Sequence, residues 1–445
     1  MPSTKTSALI GLFYVAILPF LIFPPTARSA VAASTENVLY SFCAANACAD
    51  GSEPIAGLVF DSAGNLYGTT LKGGAYGYGS VFQLAPGVGG TWNETVLYSF
   101  CSTSGCQDGA YPGSGLVFSA SGSLFGTTVD GGAFGLHCGS GDCGTVFELT
   151  PGENNTWSET VLHSFKDDGK DGFEPFGGLI FDVAGNLYGT TLFGGQGHRS
   201  VECAACGTVF ELTPSANGTW TETILHNFCS AHGCEDGAEP EAGLTIDLAG
   251  NLYGTTSLGG QGGRGCGGRG CGVIFELVLG ANGKRKEKIL HSFNFSDGTQ
   301  PTAGLIFDAA GNLYGTTVGG GAHRDGTVFE LSSAKNGTWT EKVLASNGLG
   351  STASLVLDSS GNLYGTSGSG GYGEGAVFEL TRSNTGKWME KLLYKFNANG
   401  QDGDGPNANL IFDAAGNLYS TTTAGGASGS GCGGNGCGTV FEITP

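Results

Sequence analysis

Charge is scarce in this chain, and positive charge scarcer. Asp, Glu, Lys and Arg make up 13% of the 445 residues, with 39 acidic side chains against 19 basic ones. The resulting net charge of -20 repels phosphate backbones and anionic lipid heads. It excludes nucleic acid as a partner and favours solubility. From residue 34 onward no stretch spaces its apolar residues at helical period, which excludes helical bundles and α/β folds. Long apolar runs are missing from the same region, so no span crosses a membrane there. Low-complexity tracts are limited to short Gly-rich loops while aromatics reach 10%, which excludes a disordered chain.

What is present begins with an export leader. Lys5 supplies a positive start and Ala8 to Phe23 an apolar run. Arg28-Ser29-Ala30-Val31-Ala32-Ala33 then offers small residues for cleavage between Ala30 and Ala33. Residues 1–33 are read as a signal peptide and 34–445 as one domain. An uncleaved anchor is the alternative, but the run is short and broken by Pro19. The fourteen cysteines fit an oxidising, exported setting, so a secreted or periplasmic location is expected, with no membrane association after cleavage.

The rest of the chain repeats itself. Gly64-Asn65-Leu66-Tyr67-Gly68-Thr69-Thr70 returns, slightly altered, at Gly122, Gly185, Gly250, Gly311, Gly361 and Gly416, spaced 50–65 residues apart. In the third copy Gly178 to Asp182 is a β-rich run and Val183-Ala184-Gly185-Asn186 a tight turn. Leu187 to Thr191, Gly207 to Leu212 and Trp220 to Phe228 are three further runs. Four short antiparallel strands repeated seven times predict an all-β, seven-bladed β-propeller. The strand order resembles that of NHL-type propellers, with the first strand innermost. In that phase the last blade, from Asn409, runs out of chain after its third strand, Gly438 to Thr444. Its fourth strand is supplied by Glu36-Asn37-Val38-Leu39-Tyr40-Ser41-Phe42, so the N-terminal strand is expected to close the ring and remove its open edge.

Seven local cysteine pairs follow from the spacing. Cys43/Cys48, Cys101/Cys106 and Cys229/Cys234 come after outer strands; Cys138/Cys143, Cys203/Cys206, Cys266/Cys271 and Cys432/Cys437 come before third strands. All belong to one face, here called the crown. The loops joining second to third strands have 15 residues in blades two, three, four and seven and 7 or 8 in the others. Every long loop carries a pair and no short one does. Disulfide staples for long loops explain this, each contributing about 2 kcal/mol on the chain-entropy model. Zinc needs more ligands than one pair supplies, and only His137, His198 and His232 lie close in sequence. The crown is expected to stand lower over blades five and six.

Other candidates are weighed by position. Asp167, Asp171, Asn397, Asn399, Asp402 and Asp404 lie in oxygen-rich loops with some likeness to calcium loops, though turn formation explains them more simply. Apart from calcium, no cofactor is expected. Tyr76, Tyr78, Phe134, Phe193 and Tyr372 are single aromatics on the crown, available as sugar contacts. Trp92, Trp157, Trp220, Trp339 and Trp388 all start outer strands, with Arg285 in that slot in blade four, and read as packing against the neighbouring blade. His163, His226 and His291 share one outer-strand slot with Tyr40, Tyr98 and Tyr394, which also reads as packing. The Thr69/Thr70 doublet and its copies read as strand formers. The inner strands are nearly uniform, with small departures at Ser119, Thr245 and Asn409. They hold no carboxylate pair or His cluster, and this argues against an active site in the central channel.

Gly-Asn-Leu-Tyr-Gly-Thr-Thr, then Gly-Gly, then Gly-Thr-Val-Phe-Glu-Leu-Thr-Pro resembles the bacterial GloVer tandem-repeat family over essentially all of 34–445. That resemblance implies an exported bacterial repeat protein of unassigned function. Its members often end in a sorting anchor; none is visible here, so release or periplasmic residence is expected. The leading functional expectation is a monomeric, non-enzymatic binding or scaffold module that meets a glycan or a protein through the Cys-stapled crown. The alternative is an extracellular carbohydrate-active enzyme, hydrolase or lyase, with its site on the same face.

Overall fold

A computed structural model describes residues 34–445 apart from 137–142, 197–205, 262–265, 347, 349, 369–372, 398, 428–431 and 433–434. The expected leader therefore lies outside the described residues, as do Cys138, Cys203, Tyr372, His137 and His198. Most tips of the long crown loops do so too, and the relative height of the crown is not described with them.

Seven four-stranded antiparallel sheets form the blades of a propeller. In blade one the strands run from the axis outward as Val59–Phe60, Leu66–Thr70, Ser80–Pro86 and Trp92–Ser99. Blade seven is built from both ends of the domain. Ile411–Phe412, Leu418–Thr422 and Thr439–Thr444 are joined by Thr35–Ser41, whose register runs from Thr35 opposite Thr444 to Ser41 opposite Thr439. The expected closure is thus found. The inner strands are shorter than expected: in the third blade only Ile180–Phe181 pairs. A carbonyl just before them accepts a bond from the preceding blade instead, as from Thr127 to Pro175.

The repeated motif is a hairpin whose turn is held by one aspartate. Asp61 Oδ1 accepts the N–H groups of Ala63 and Asn65 at 2.8 and 2.9 Å. Its Oδ2 accepts the Asn65 amide at 2.7 Å and the Tyr67 hydroxyl at 3.0 Å. Asp182, Asp247, Asp308, Asp358 and Asp413 repeat the arrangement. Gly64 sits at φ +85°, a conformation that favours glycine. The second glycine has a different reason. Gly189 lies opposite Phe210, and a Cβ there would come within 2.5 Å of the Phe210 ring and 2.9 Å of Leu179. The missing side chain is the seat of a fully buried phenylalanine. Blade seven has Ser420 opposite Phe441, with its hydroxyl turned to the carbonyls of Ala408 and Asn409.

Blades bury their faces against each other. The cluster joining blades two and three combines Phe125, Val146 and Phe165 with Leu179, Leu187 and Phe210. The tryptophans lie in these seams, as expected: Trp157 meets Tyr67 edge-on at 6.3 Å and Trp220 meets Phe125 at 6.1 Å. In blade four the Arg285 guanidinium lies 5.2 Å from the Tyr188 ring centre, so a cation–π contact replaces the aromatic pair.

Two stability predictions follow. Gly189→Ala should lose about 1–3 kcal/mol in urea unfolding through overpacking. Gly178→Ala, which meets no atom within 4 Å, should stay within about 0.5 kcal/mol of the parent. Deleting Glu36 to Phe42 should leave the outer edge of Thr439–Thr444 unpaired and broaden the melting transition. A deletion variant that melts like the parent would show that this strand does not close the ring.

Candidate functional site

The inner strands enclose a central cavity of about 650 Å³. Its crown-side mouth is formed by the residues entering each blade. In blade one these are Glu53-Pro54-Ile55-Ala56-Gly57. The residue after the proline, or its equivalent, differs around the ring: Ile55, Gly113, Phe176, Glu241, Thr302, Thr352 and Asn407. Three positions further on, every copy has leucine, Leu58 to Leu410. The varied ring was missed in the sequence because attention rested on the regular inner strands that follow it. Its signal was six residue types at one slot of an otherwise steady repeat.

Two sets of bonds hold this ring in place. The first threonine of each doublet, one of those buried side chains read above as strand formers, has a more specific task. Its hydroxyl donates to a carbonyl of the next blade's entry segment: Thr69 to Ser114 at 3.0 Å, Thr190 to Ala242 at 2.9 Å, Thr366 to Ala408 at 3.1 Å, and Thr421 across the closure to Ala56 at 3.1 Å. The second set joins backbones. Glu53 N–H donates to Cys437 O, Glu174 to Cys143 O, Glu239 to Cys206 O and Gln300 to Cys271 O, at 2.8–3.1 Å. These four donors are non-glycine residues at φ 54–57°, a sparsely populated conformation that its surroundings must hold. Each acceptor is a disulfide-bonded cysteine. The crown staples therefore fix the carbonyls on which the mouth is hung.

The mouth offers mixed chemistry. Phe176 is 38% exposed and its ring edge lies beside Gly113. The Thr302 hydroxyl is buried without a hydrogen-bond partner. Burial pushes the Glu241 carboxyl above the usual range and Glu239 adds to this, while a bond with Ser257 opposes it. Below the mouth Ser354 N–H donates to Asn409 Oδ1 at 2.6 Å.

The other candidate residues lie elsewhere. Disulfides Cys43–Cys48, Cys101–Cys106, Cys229–Cys234, Cys266–Cys271 and Cys432–Cys437 form as the spacing predicts. Cys143 and Cys206 are disulfide-bonded as well, their expected partners being outside the described residues. Cys43 and Cys432 sulfurs meet at 3.7 Å across the ring closure. Tyr76 and Phe134 are exposed singly, Tyr78 packs on Tyr111 at 5.4 Å and Phe193 on Phe173 at 5.8 Å. None of these four lines the cavity. In the calcium-like loops the oxygens mostly serve the backbone. Asn399 Oδ1 accepts the N–H groups of Gln401 and Asp402, and Asp402 accepts those of Asn397 and Gly403. Asp167 lies half-buried in its loop. Burial raises Asp404, as does its neighbour Glu374.

Asp171 and Asp402 belong to a pattern that sequence reading did not reach. Among the described residues, six blade seams carry the same set: a Tyr or His from one outer strand, the following Asp, and a Glu from the next outer strand. Tyr40 and Tyr98 hydroxyls donate to Asp50 and Asp108 at 2.8 Å, and Tyr394 donates to Asp402 at 3.1 Å. The associated glutamates are Glu94, Glu159 and Glu36. His163, His226 and His291 take the tyrosine's place with Asp171, Asp236, Asp297 and Glu222, Glu287, Glu341. The slot is therefore a polar seam contact rather than simple packing.

Residues 28–267 and 264–445 match the sequence profile of the Gloeobacter/Verrucomicrobia repeat. The chain belongs to this repeat family. The family accounts for the whole propeller, in line with the resemblance carried by the Gly-Asn-Leu-Tyr motif. No curated protein matches the chain. Among solved structures it is similar to a protein assigned as a 6-phosphogluconolactonase from Bacteroides uniformis (13% identity, 83% of this chain and 89% of that one, TM-score 0.47). It is similar also to a gluconolactonase from Xanthomonas campestris (15%, 68% and 81%, 0.36) and to a glucose dehydrogenase-type oxidoreductase from Thermus thermophilus (15%, 92% and 100%, 0.41). At these identities and scores they carry no inference about activity in this repeat-family member.

The seam glutamates set a pH dependence. Burial first, then the neighbouring aspartate, pushes Glu159, Glu222 and Glu287 up to about 8 and Glu36 and Glu94 up to about 7. Glu341 also reaches about 7, raised mainly by burial, with His291 pulling against it. Their ordinary value is 4.5, so the folded chain binds protons that the unfolded chain has released. Stability should be fully present below about pH 4.5 as far as these groups go, and fall as pH rises through about 8. The melting temperature should decline from pH 5 to pH 9, and Glu159→Gln, which cannot ionise, should exceed the parent at pH 9. A flat profile over that range would contradict the seam assignment.

Proposed function

We propose that this repeat-family member is an exported, non-enzymatic binding module whose ligand enters the crown-side mouth of the central channel. The observation that carries the reading is the varied ring Ile55, Gly113, Phe176, Glu241, Thr302, Thr352 and Asn407. It sits at the edge of a cavity, in a repeat that otherwise changes little. Concave sites with apolar walls and a few convergent polar groups are the usual form of ligand pockets. An exposed Phe176 face beside hydroxyls and an amide suits the flat apolar side and the hydroxyl groups of a sugar. The net charge of -20 disfavours phosphorylated ligands. A single carboxylate-bearing residue, Glu241, lines the cavity among the described residues, whereas glycoside hydrolysis generally uses two. The disulfide-stapled crown and the leader expected at residues 1–33 support export, to the periplasm or the exterior.

The adjoining carboxyl groups of Asp404 and Glu374, with Asp404 raised by burial and by its neighbour, favour a second reading. This is a carbohydrate-active enzyme acting at the crown between blades six and seven, since two adjoining carboxyl groups can divide acid and base roles.

A glycan array probed with the purified chain tests both. Binding is expected, with affinity reduced roughly tenfold by Phe176→Ala, the equivalent of about 1.4 kcal/mol, and without turnover of the bound glycan. No binding, or binding indifferent to Phe176→Ala, would count against the channel mouth. Turnover abolished by Asp404→Asn would establish the second reading instead.

A further inference from the structure

Three blade seams hold a histidine where the other three hold a tyrosine, and the chemistry of the seam changes with it. In the tyrosine seams an O–H proton lies between the ring and the aspartate, as in the 2.8 Å bond from Tyr40 to Asp50. In the histidine seams that proton is replaced by a ring nitrogen. His163 Nε2 lies 3.3 Å from Asp171 Oδ2 and 3.8 Å from Glu222 Oε1. His226 Nε2 lies 3.9 Å from Asp236 Oδ2 and 3.4 Å from Glu287 Oε1. His291 Nε2 lies 3.4 Å from Asp297 Oδ2, with Glu341 completing the set. In each set one nitrogen and two carboxylate oxygens fall within 4.8 Å of one another.

A plain ion pair does not account for this geometry. An imidazolium would aim its N–H at an oxygen, yet Nε2 of all three histidines is buried without a hydrogen-bond partner. The facing Oε1 of Glu222, Glu287 and Glu341 is likewise buried and unpartnered, as are both oxygens of Asp171. The Asp171 side chain is 5% exposed, so its carboxylate cannot be satisfied by bulk water. Lys166, the nearest cation in its loop, is engaged with Asp168 at 3.1 Å. Buried polar atoms are ordinarily bonded, and orphans need an explanation.

We infer that the sets His163–Asp171–Glu222, His226–Asp236–Glu287 and His291–Asp297–Glu341 are binding sites for a divalent cation, zinc being the best match. Zinc accepts one histidine and two carboxylates at 2.0–2.2 Å in tetrahedral sites. Tetrahedral bonds of that length place ligand atoms about 3.3–3.5 Å apart, which the shortest nitrogen–oxygen separation in each set, 3.3 or 3.4 Å, matches, while the others are wider. Three protein ligands leave the fourth position to water. Each ion would join two blades, because the histidine and the glutamate come from successive outer strands. The inference is independent of any ligand at the channel mouth.

The same repeat supplies a control. Tyrosine is native to the slot in three other seams, so His→Tyr changes the ligand atom in a setting that accepts the ring. Chelator-stripped full chain titrated with zinc chloride should take up about three ions, by calorimetry and by metal analysis after gel filtration. Its melting temperature should rise with zinc, as binding to the folded state alone requires. The variant His163→Tyr/His226→Tyr/His291→Tyr should lose that uptake and the zinc-dependent rise while keeping the metal-free melting temperature. Each single variant should lose one ion, which keeps the test readable if the triple variant does not fold. Absence of uptake by the parent, or equal uptake by the single variants, would overturn the inference.

Discussion

The bond from a threonine hydroxyl to the next blade's carbonyl is the contact on which the channel depends. A four-stranded blade is too thin to bury either face alone, so it needs neighbours. Apolar packing between blades supplies most of the stabilisation, but packing alone is tolerant of small slides. A buried hydroxyl left without its acceptor loses on the order of 1–3 kcal/mol. The contacts from Thr69 to Ser114 and from Thr421 to Ala56 therefore set how far each entry segment advances toward the axis. Residues such as Phe176 and Glu241 sit directly on those segments. Position at the mouth is thus decided one layer further out, by side chains that do not line the cavity.

The crown cysteines add to the same control. Read as loop staples, they are reinforcement against chain entropy. Their carbonyls give them a second part, because Cys437, Cys143, Cys206 and Cys271 accept the N–H of the strained residue that opens the following blade. One short covalent ring thereby steadies a backbone conformation in a different blade. Blades one and six have no cysteine at this point, and Tyr78 O and Glu374 O serve instead. The disulfides are one way of holding the acceptor, suited to the long loops that would otherwise let it wander.

The architecture was legible because it rests on local rules applied seven times. Gly-Asn after Asp marks a hairpin, Val-Phe marks a central strand, and a missing last strand can be sought at the other end of the chain. The closing strand Thr35–Ser41 was recognisable for this reason. What could not be read depends on pairs far apart in sequence. His163 looked like a packing residue because Asp171 is near it in the chain but Glu222 is not. The first threonine of the doublet looked like a mere strand former because its partner lies in the next repeat. The channel mouth is intermediate: the variation from Ile55 to Asn407 is visible in the aligned repeats, yet only the curvature of the ring brings those residues around one opening.

The seventh blade has a temporal consequence. Its outer strand is the earliest made part of the domain and its other three strands are the latest, so that blade cannot form until Thr439–Thr444 has been made. Blades one to six can assemble in succession as they emerge, each seated on the one before. Meanwhile Thr35–Ser41 must stay unpaired, a short segment of mixed polar and apolar side chains held in waiting. Completion of the circle is then the last event, and it converts an open stack, extendable by other strands, into an object with no end to add to.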